Sequence, residues 1–138
     1  MGNYIESFCH FVWATRHREP FITDGIEREL HRYLRQRCNE MHVDVYALNG
    51  MPDHIHLAAT VPTCLSQADF MERLKGSSSH FINKILAVPN CLYWQPGYGM
   101  LTHTLGHLPR VMRYVDRQKA HHASGKLFDK MERVSDID

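Results

Sequence analysis

The chain has 138 residues, 43% of them hydrophobic and 22% charged, which is enough apolar material for one ordinary domain with its own core. No apolar run approaches the roughly 18 residues that a membrane span needs, and the N-terminal MGNYIESFCH lacks the pattern of a signal peptide or a myristoylation site. The formal net charge of +1 does not announce nucleic acid, but the last ten residues, DKMERVSDID, are acidic and leave the rest of the chain modestly basic, with eleven histidines that could gain charge beside phosphates.

Phe8 to Thr15, FCHFVWAT, is short, aromatic and β-branched, and predicts a buried strand. RHREP makes a turn. Asp24 is expected to cap a helix, with Glu27 as its capping-box partner. Ile26, Leu30, Tyr33, Leu34, Cys38 and Met41 follow at helical spacing and predict an amphipathic helix over 24–41. Val43 to Leu48 predicts a second strand, Asn49-Gly50 a turn that Met51-Pro52-Asp53 extends, and His54 to Val61 a third strand closing an antiparallel hairpin. Ser66 is expected to cap the next helix, with Asp69 in the box position and Phe70, Leu74, Phe81 and Ile85 on its buried face; Gly76 and the serines after it should weaken it midway. The loop NCLYWQPGYG leads to a fourth strand near 99–104, and Pro109 opens a last helix running to His121.

That order is the α+β, ferredoxin-like split βαβ arrangement: an antiparallel sheet with two helices on one face, plus a C-terminal helix carrying Tyr114. The other sheet face is left free for function. One domain is expected over 1–122, followed by a C-terminal tail over 123–138. Cys9, Cys38, Cys64 and Cys91 stand alone without a CxxC spacing, so they read as reduced, mostly buried thiols of a cytosolic protein. No GxxxxGK is present, so no nucleotide cofactor is expected.

Two features carry chemistry. His54-Ile55-His56 on a strand places both imidazoles on one face, within reach of one ion. Alone, the pattern is weak evidence, since two half-exposed histidines at a strand start give the same spacing. On the last helix, Leu108, Val111, Met112 and Val115 form the apolar face and Arg110, Arg113 and Arg117 the far side, with Tyr114 and Gln118 side by side on the border. A border tyrosine can snorkel at a packing edge or point its hydroxyl at an anion. A phenol, pKa about 10, is a poor nucleophile unless charge on a phosphodiester is neutralised. A divalent ion held by two histidines and a side-chain amide would do that.

The stretches "VWAT" with its trailing arginines, "MPDHIHL", "LKGSSS", "YWQPGYG" and "VMRYVDRQKAHH", in this order and spacing, resemble the small HUH single-tyrosine transposases of bacterial insertion sequences and the related repetitive-element-associated tyrosine transposases. The resemblance implies that His54 and His56 are metal ligands, that Gln118 completes the metal site, and that the ion is Mg²⁺ or Mn²⁺. It implies that Tyr114 cuts single-stranded DNA, keeping a 5′-phosphotyrosine link and leaving a free 3′-hydroxyl. It further implies hairpin-bearing single-stranded element ends as substrate, a homodimer whose active sites are shared between subunits in many members, and a bacterial cytoplasmic protein that is nucleoid-associated when bound to DNA. Arg16, Arg18, Lys75, Ser77, Arg110, Arg113 and Arg117 are the residues expected to hold that DNA. For Lys75 and Ser77, a solvated, flexible helix segment is the competing reading.

The chain departs from the family after its GYG, where MLTHTLGH stands in place of a small-residue strand. His103 and His107 are expected to have surface or packing roles, His10 to pack on the first strand, and His121-His122 to take no part in catalysis. Mg²⁺ prefers oxygen, whereas two imidazoles favour Mn²⁺, so metal binding without DNA should be weak. The competing function is a non-catalytic, hairpin-DNA-binding regulatory protein derived from such a transposase. Barrel hydrolases with an HxH need about 250 residues, which excludes them here.

Overall fold

The computed structural model describes residues 2–87, 92–125 and 129–134. Strands β1 (Phe8–Ala14), β2 (Asp44–Met51), β3 (His54–Thr60) and β4 (Gly99–His103) form one sheet in the order β2-β3-β1-β4. Every neighbouring pair is antiparallel. Helix α1 (Asp24–Glu40) links β1 to β2, and α2 (Gln67–His80) lies between β3 and β4. This is the ferredoxin-like split βαβ arrangement.

Strand alternation divides the sheet into two unlike faces. Cys9, Phe11 and Trp13 of β1 and Ile55, Leu57 and Ala59 of β3 join Leu30 and Leu34 of α1 and Phe70, Met71 and Leu74 of α2 in one buried apolar cluster. Full burial of each large side chain there stabilises the fold by ~1.5–3 kcal/mol. The opposite face carries His10, Val12 and Ala14 from β1 and His54, His56 and Ala58 from β3. Val12 pairs with His56 and Ala14 with His54, which fixes where the imidazoles stand.

Several local details differ from expectation. Thr23, not Asp24, is the N-cap of α1 and makes no side-chain cap; its carbonyl accepts from Ile26 and Glu27 instead. Asp24 then lies in the first turn, where its charge suits the helix dipole. Ser66 does cap α2, accepting from the Asp69 amide at 3.1 Å. Gly76 and the serines do not interrupt α2. The hydroxyls of Ser77, Ser78 and Ser79 bond back to carbonyls within the helix, and a π-helical turn, Phe81–Ile85, continues it.

Asn49-Gly50 is not the hairpin turn. Both residues belong to β2, and Met51 pairs with His54 across a two-residue Pro52-Asp53 connection. Gly50 is required by close approach, since a Cβ there would lie 2.2 Å from the His54 carbonyl oxygen.

The expected last helix is two helices, α3 (Leu108–Asp116) and α4 (Gln118–Ser124). Arg117, at φ −104° and ψ 25°, leaves helical geometry and separates them. The second sheet face is not free. Val111 and Val115 of α3 pack on Ala47 and Ala58, whose small side chains let the helix sit close. A short helix, α5 (Asp129–Glu132), and Val134 cover the β1–β4 side, with Val134 against Val12 and Ala14. Part of the segment expected to be a tail is therefore packed on the sheet. Cys9 and Cys38 are buried free thiols, and burial pushes Cys38 up to about 12. Cys64 is exposed, and Cys91 lies outside the described residues. No helix among the described residues is long and apolar enough to cross a membrane.

Candidate metal centre and active site

His54 and His56 project from β3 onto the second sheet face and are 3% and 0% exposed. His54 Nδ1 meets Asp53 Oδ1 at 2.7 Å, and His56 Nδ1 meets His10 Nε2 at 2.8 Å. Both rings thereby turn Nε2 the same way. The Nε2 atoms of His54, His56 and His122 lie 3.3, 3.2 and 3.3 Å from a single atom, Glu132 Oε1. The other carboxylate oxygen of Glu132 accepts from the Tyr114 hydroxyl.

The electrostatics follow from this packing. Burial opposes a charge on His54, but its contacts with Asp53 and Glu132 outweigh burial and raise its pKa. Burial dominates at His56, whose pKa is lowered in spite of Glu132. Burial, aided by His56, brings His10 down to about 3. His122 is likewise lowered, chiefly by burial and then by His54. Burial also opposes ionisation of Glu132, yet the hydrogen bonds from His54 and His56 hold its carboxyl far below the usual range. Asp53 is lowered mainly by its bond to His54.

The donor set fits a cation. One ligand atom from each of His54, His56, His122 and Glu132 lies within 4.8 Å of the others. A tetrahedral ion with bonds of about 2.1 Å has ligand–ligand edges of about 3.4 Å, close to the carboxylate–imidazole spacings here. His54 Nε2 is buried and faces Glu132 Oε1 at 3.3 Å, so its ring nitrogen points into the cluster. Three imidazoles suit Mn²⁺ or a later transition metal better than Mg²⁺.

Tyr114 is not at a packing edge. It is 2% exposed and faces the sheet. Its ring lies 5.9 Å from that of His56 at 80°, and His121 stacks on it at 4.8 Å. Gln118 is fully buried; its amide donates to the Tyr114 carbonyl, and its Oε1 lies 3.0 Å from His122 Nε2. His54, His56, Tyr114 and Gln118 therefore converge within one chain. Sequence reasoning missed His122 and Glu132. His122 had a signal, since it follows Gln118 by four residues, one helical turn. Glu132 had none.

The residues expected to hold DNA divide. Arg18 lines a cleft of about 530 Å³ with Asp53, His54, His122 and Glu132. Arg16 is exposed, its guanidinium 4.7 Å from the centre of the Tyr93 ring. Arg110, Arg113 and Arg117 are exposed on α3 and at its end. Lys75 is tied down instead, donating to the carbonyls of Gln95 and Gly97 at 2.8 Å each. The Ser77 hydroxyl is turned to the Leu74 carbonyl at 3.4 Å. Trp94 is anchored beside them, its indole N–H on Ser78 Oγ at 3.0 Å.

A histidine pair and a tyrosine face each other on this ferredoxin-like sheet. The family described as "Transposase IS200 like" matches residues 4–118. The chain belongs to the IS200-like transposases. It is similar to the ISDra2 transposase TnpA of Deinococcus radiodurans, at 24% identity over 79% of this chain and 81% of that protein. It is also similar to the transposase for insertion sequence element IS200 of Salmonella typhimurium, at 27% identity over 79% of this chain and 74% of that protein. Among solved structures, a candidate transposase of Deinococcus radiodurans R1 superposes with a TM-score of 0.66 at 26% identity, covering 86% of this chain and 96% of that one. A REP-associated tyrosine transposase bound to a REP hairpin shares the fold, with a TM-score of 0.62 at 14% identity over 100% of this chain and 94% of that one.

Proposed function

We propose that this transposase cleaves and rejoins single-stranded DNA at hairpin-bearing element ends, with Tyr114 as nucleophile and a divalent ion, Mn²⁺ or Mg²⁺, at the histidine cluster. The observation that carries this reading is the contact chain from Tyr114 through Glu132 to three converging imidazoles. His54 and His56 would hold the ion, and α4 would supply its third side from the adjacent Gln118 and His122. A bound ion supplies charge neutralisation on the non-bridging phosphate oxygens.

The remaining steps belong to the chain's own residues. Tyr114 Oη forms a bond to phosphorus as the bond from phosphorus to the 3′-oxygen breaks. The DNA is left as a 5′-phosphotyrosine and a 3′-hydroxyl, with no net loss of phosphoester bonds. Water entering the opened site takes the phenolic proton, and that proton balances the one gained by the departing 3′-oxygen. Arg18, at the cleft beside His54, would hold the flanking backbone. Because Tyr114 is buried with its hydroxyl on Glu132, the segment 129–134 must yield before a phosphate can reach the ring.

The test is incubation of the protein with a single-stranded hairpin oligonucleotide and Mn²⁺, followed by a denaturing gel. A covalent protein–DNA adduct is expected. Tight hairpin binding with no adduct at any metal concentration would favour the second reading, a hairpin-binding regulatory protein. The burial of Tyr114 is the observation on that side.

A further inference from the structure

His10 stands diagonally across the β1–β3 ladder from His56, because Val12 is the residue directly opposite His56. Both imidazoles are buried, at 2% and 0% exposure. Their contact, His10 Nε2 to His56 Nδ1 at 2.8 Å, is a hydrogen bond between two ring nitrogens, so one must donate and the other accept. A neutral imidazole carries its proton on one nitrogen and a lone pair on the other. His56 can offer an Nε2 lone pair to an ion only when its proton sits on Nδ1. A proton buried at Nδ1 needs an acceptor, and His10 Nε2 is the atom in place to be one.

We propose that His10 is a positioning residue of the metal site, holding His56 in the Nδ1–H tautomer and aiming its Nε2 lone pair at the ion. This rests on the metal reading above. His54 is oriented in the same way by Asp53, through its own Nδ1 at 2.7 Å. The two supports differ in kind. A carboxylate can only accept, whereas an imidazole can accept or donate from one position. Without an ion, the His10 contact can run in reverse: His10 Nε2–H donates to His56 Nδ1, and His56 Nε2–H faces Glu132 Oε1 at 3.2 Å. The same pair of rings thus serves the loaded and the empty site without moving.

The experiment is Mn²⁺ titration of the full chain by calorimetry, comparing wild type with His10→Gln and His10→Leu. Glutamine can present an acceptor near the place of Nε2; leucine has similar bulk and no polar atom. The leucine variant should bind Mn²⁺ about 10–100-fold more weakly, and the glutamine variant should recover most of that loss. A packing role for His10 predicts the opposite order, with leucine tolerated and the buried amide penalised. That order, or equal affinity in all three proteins, would overturn the proposal.

Should the leucine variant not fold, long-range proton–nitrogen NMR on the wild type loaded with diamagnetic Zn²⁺ decides the matter. The His56 proton must be on Nδ1, and a proton on Nε2 would overturn the role. A wild type that shows no saturable Mn²⁺ binding overturns the metal reading and this proposal together. Binding that ignores residue 10 overturns this proposal alone.

Discussion

The Tyr114 ring stands edge-on to His56 in the same chain, with centroids 5.9 Å apart and planes at 80°. The proposed nucleophile and the proposed metal site thereby meet within one chain.

Tyr114→Phe removes the hydroxyl and leaves the ring stacked on His121. Covalent adduct with a hairpin oligonucleotide should vanish on a denaturing gel, while hairpin affinity by fluorescence anisotropy stays within about threefold, less than ~1 kcal/mol. Adduct formation by this variant would remove Tyr114 from the chemistry.

Gly99→Ala should disturb the site without touching it. A Cβ at Gly99 would lie 1.8 Å from the Arg133 carbonyl oxygen, so the segment bearing Glu132 must shift. The expected result matches that of Glu132→Ala: weaker Mn²⁺ binding without DNA, and faster initial adduct formation at saturating Mn²⁺. The Glu132 carboxylate stands between the Tyr114 hydroxyl and the three imidazoles, so removing it would open that space to a phosphate. Slower adduct formation in Glu132→Ala would show instead that the carboxylate is needed during cleavage.

Lys75→Met separates a structural from a DNA-contacting role. Losing its two bonds to the 95–97 carbonyls should lower stability by about 1–2 kcal/mol, read as a drop of several degrees in Tm. The salt dependence of hairpin binding should not change. Arg18→Ala should do the reverse, leaving Tm nearly unchanged and reducing the slope of log affinity against log salt by about one phosphate contact.

Acid should destabilise the fold in a defined window. His10 has its folded pKa lowered to about 3 by burial and by His56. Between the ordinary value of about 6.5 and that value, the unfolded chain binds the proton and the folded chain does not. Stability therefore falls as pH falls through the window, by at most about 1.4 kcal/mol per pH unit from this group. His54 works the other way, because its raised pKa adds stability below its unfolded value. The check is Tm from pH 7.5 down to pH 4. The acid slope should flatten in His10→Gln, and an unchanged slope would refute the assignment.

Much of the architecture can be read from local pattern. Period-two alternation places His54 and His56 on one face, and helical spacing places Tyr114 and Gln118 one turn apart. What escaped is what depends on long-range register or approach. His10 joins His56 only through the pairing of β1 with β3, which neither strand encodes alone. The one-turn spacing of Gln118 and His122 is legible, but the break at Arg117 that sets the direction of α4 is not. Glu132 arrives because Gly99 lets a distant backbone cross β4 closely, and no nearby residue announces the crossing. Asn49-Gly50 misled for a similar reason: Gly50 answers to the carbonyl of His54 across the ladder, not to a turn.

The two unlike faces of the sheet have a consequence for how such a protein can change over generations. Cohesion is concentrated in the oily layer beneath the helices, and the proposed chemistry in the imidazole-rich layer on the other side. Substitutions that silence the chemistry need not loosen the body, so a descendant can give up cutting and survive as a well-folded reader of DNA shape.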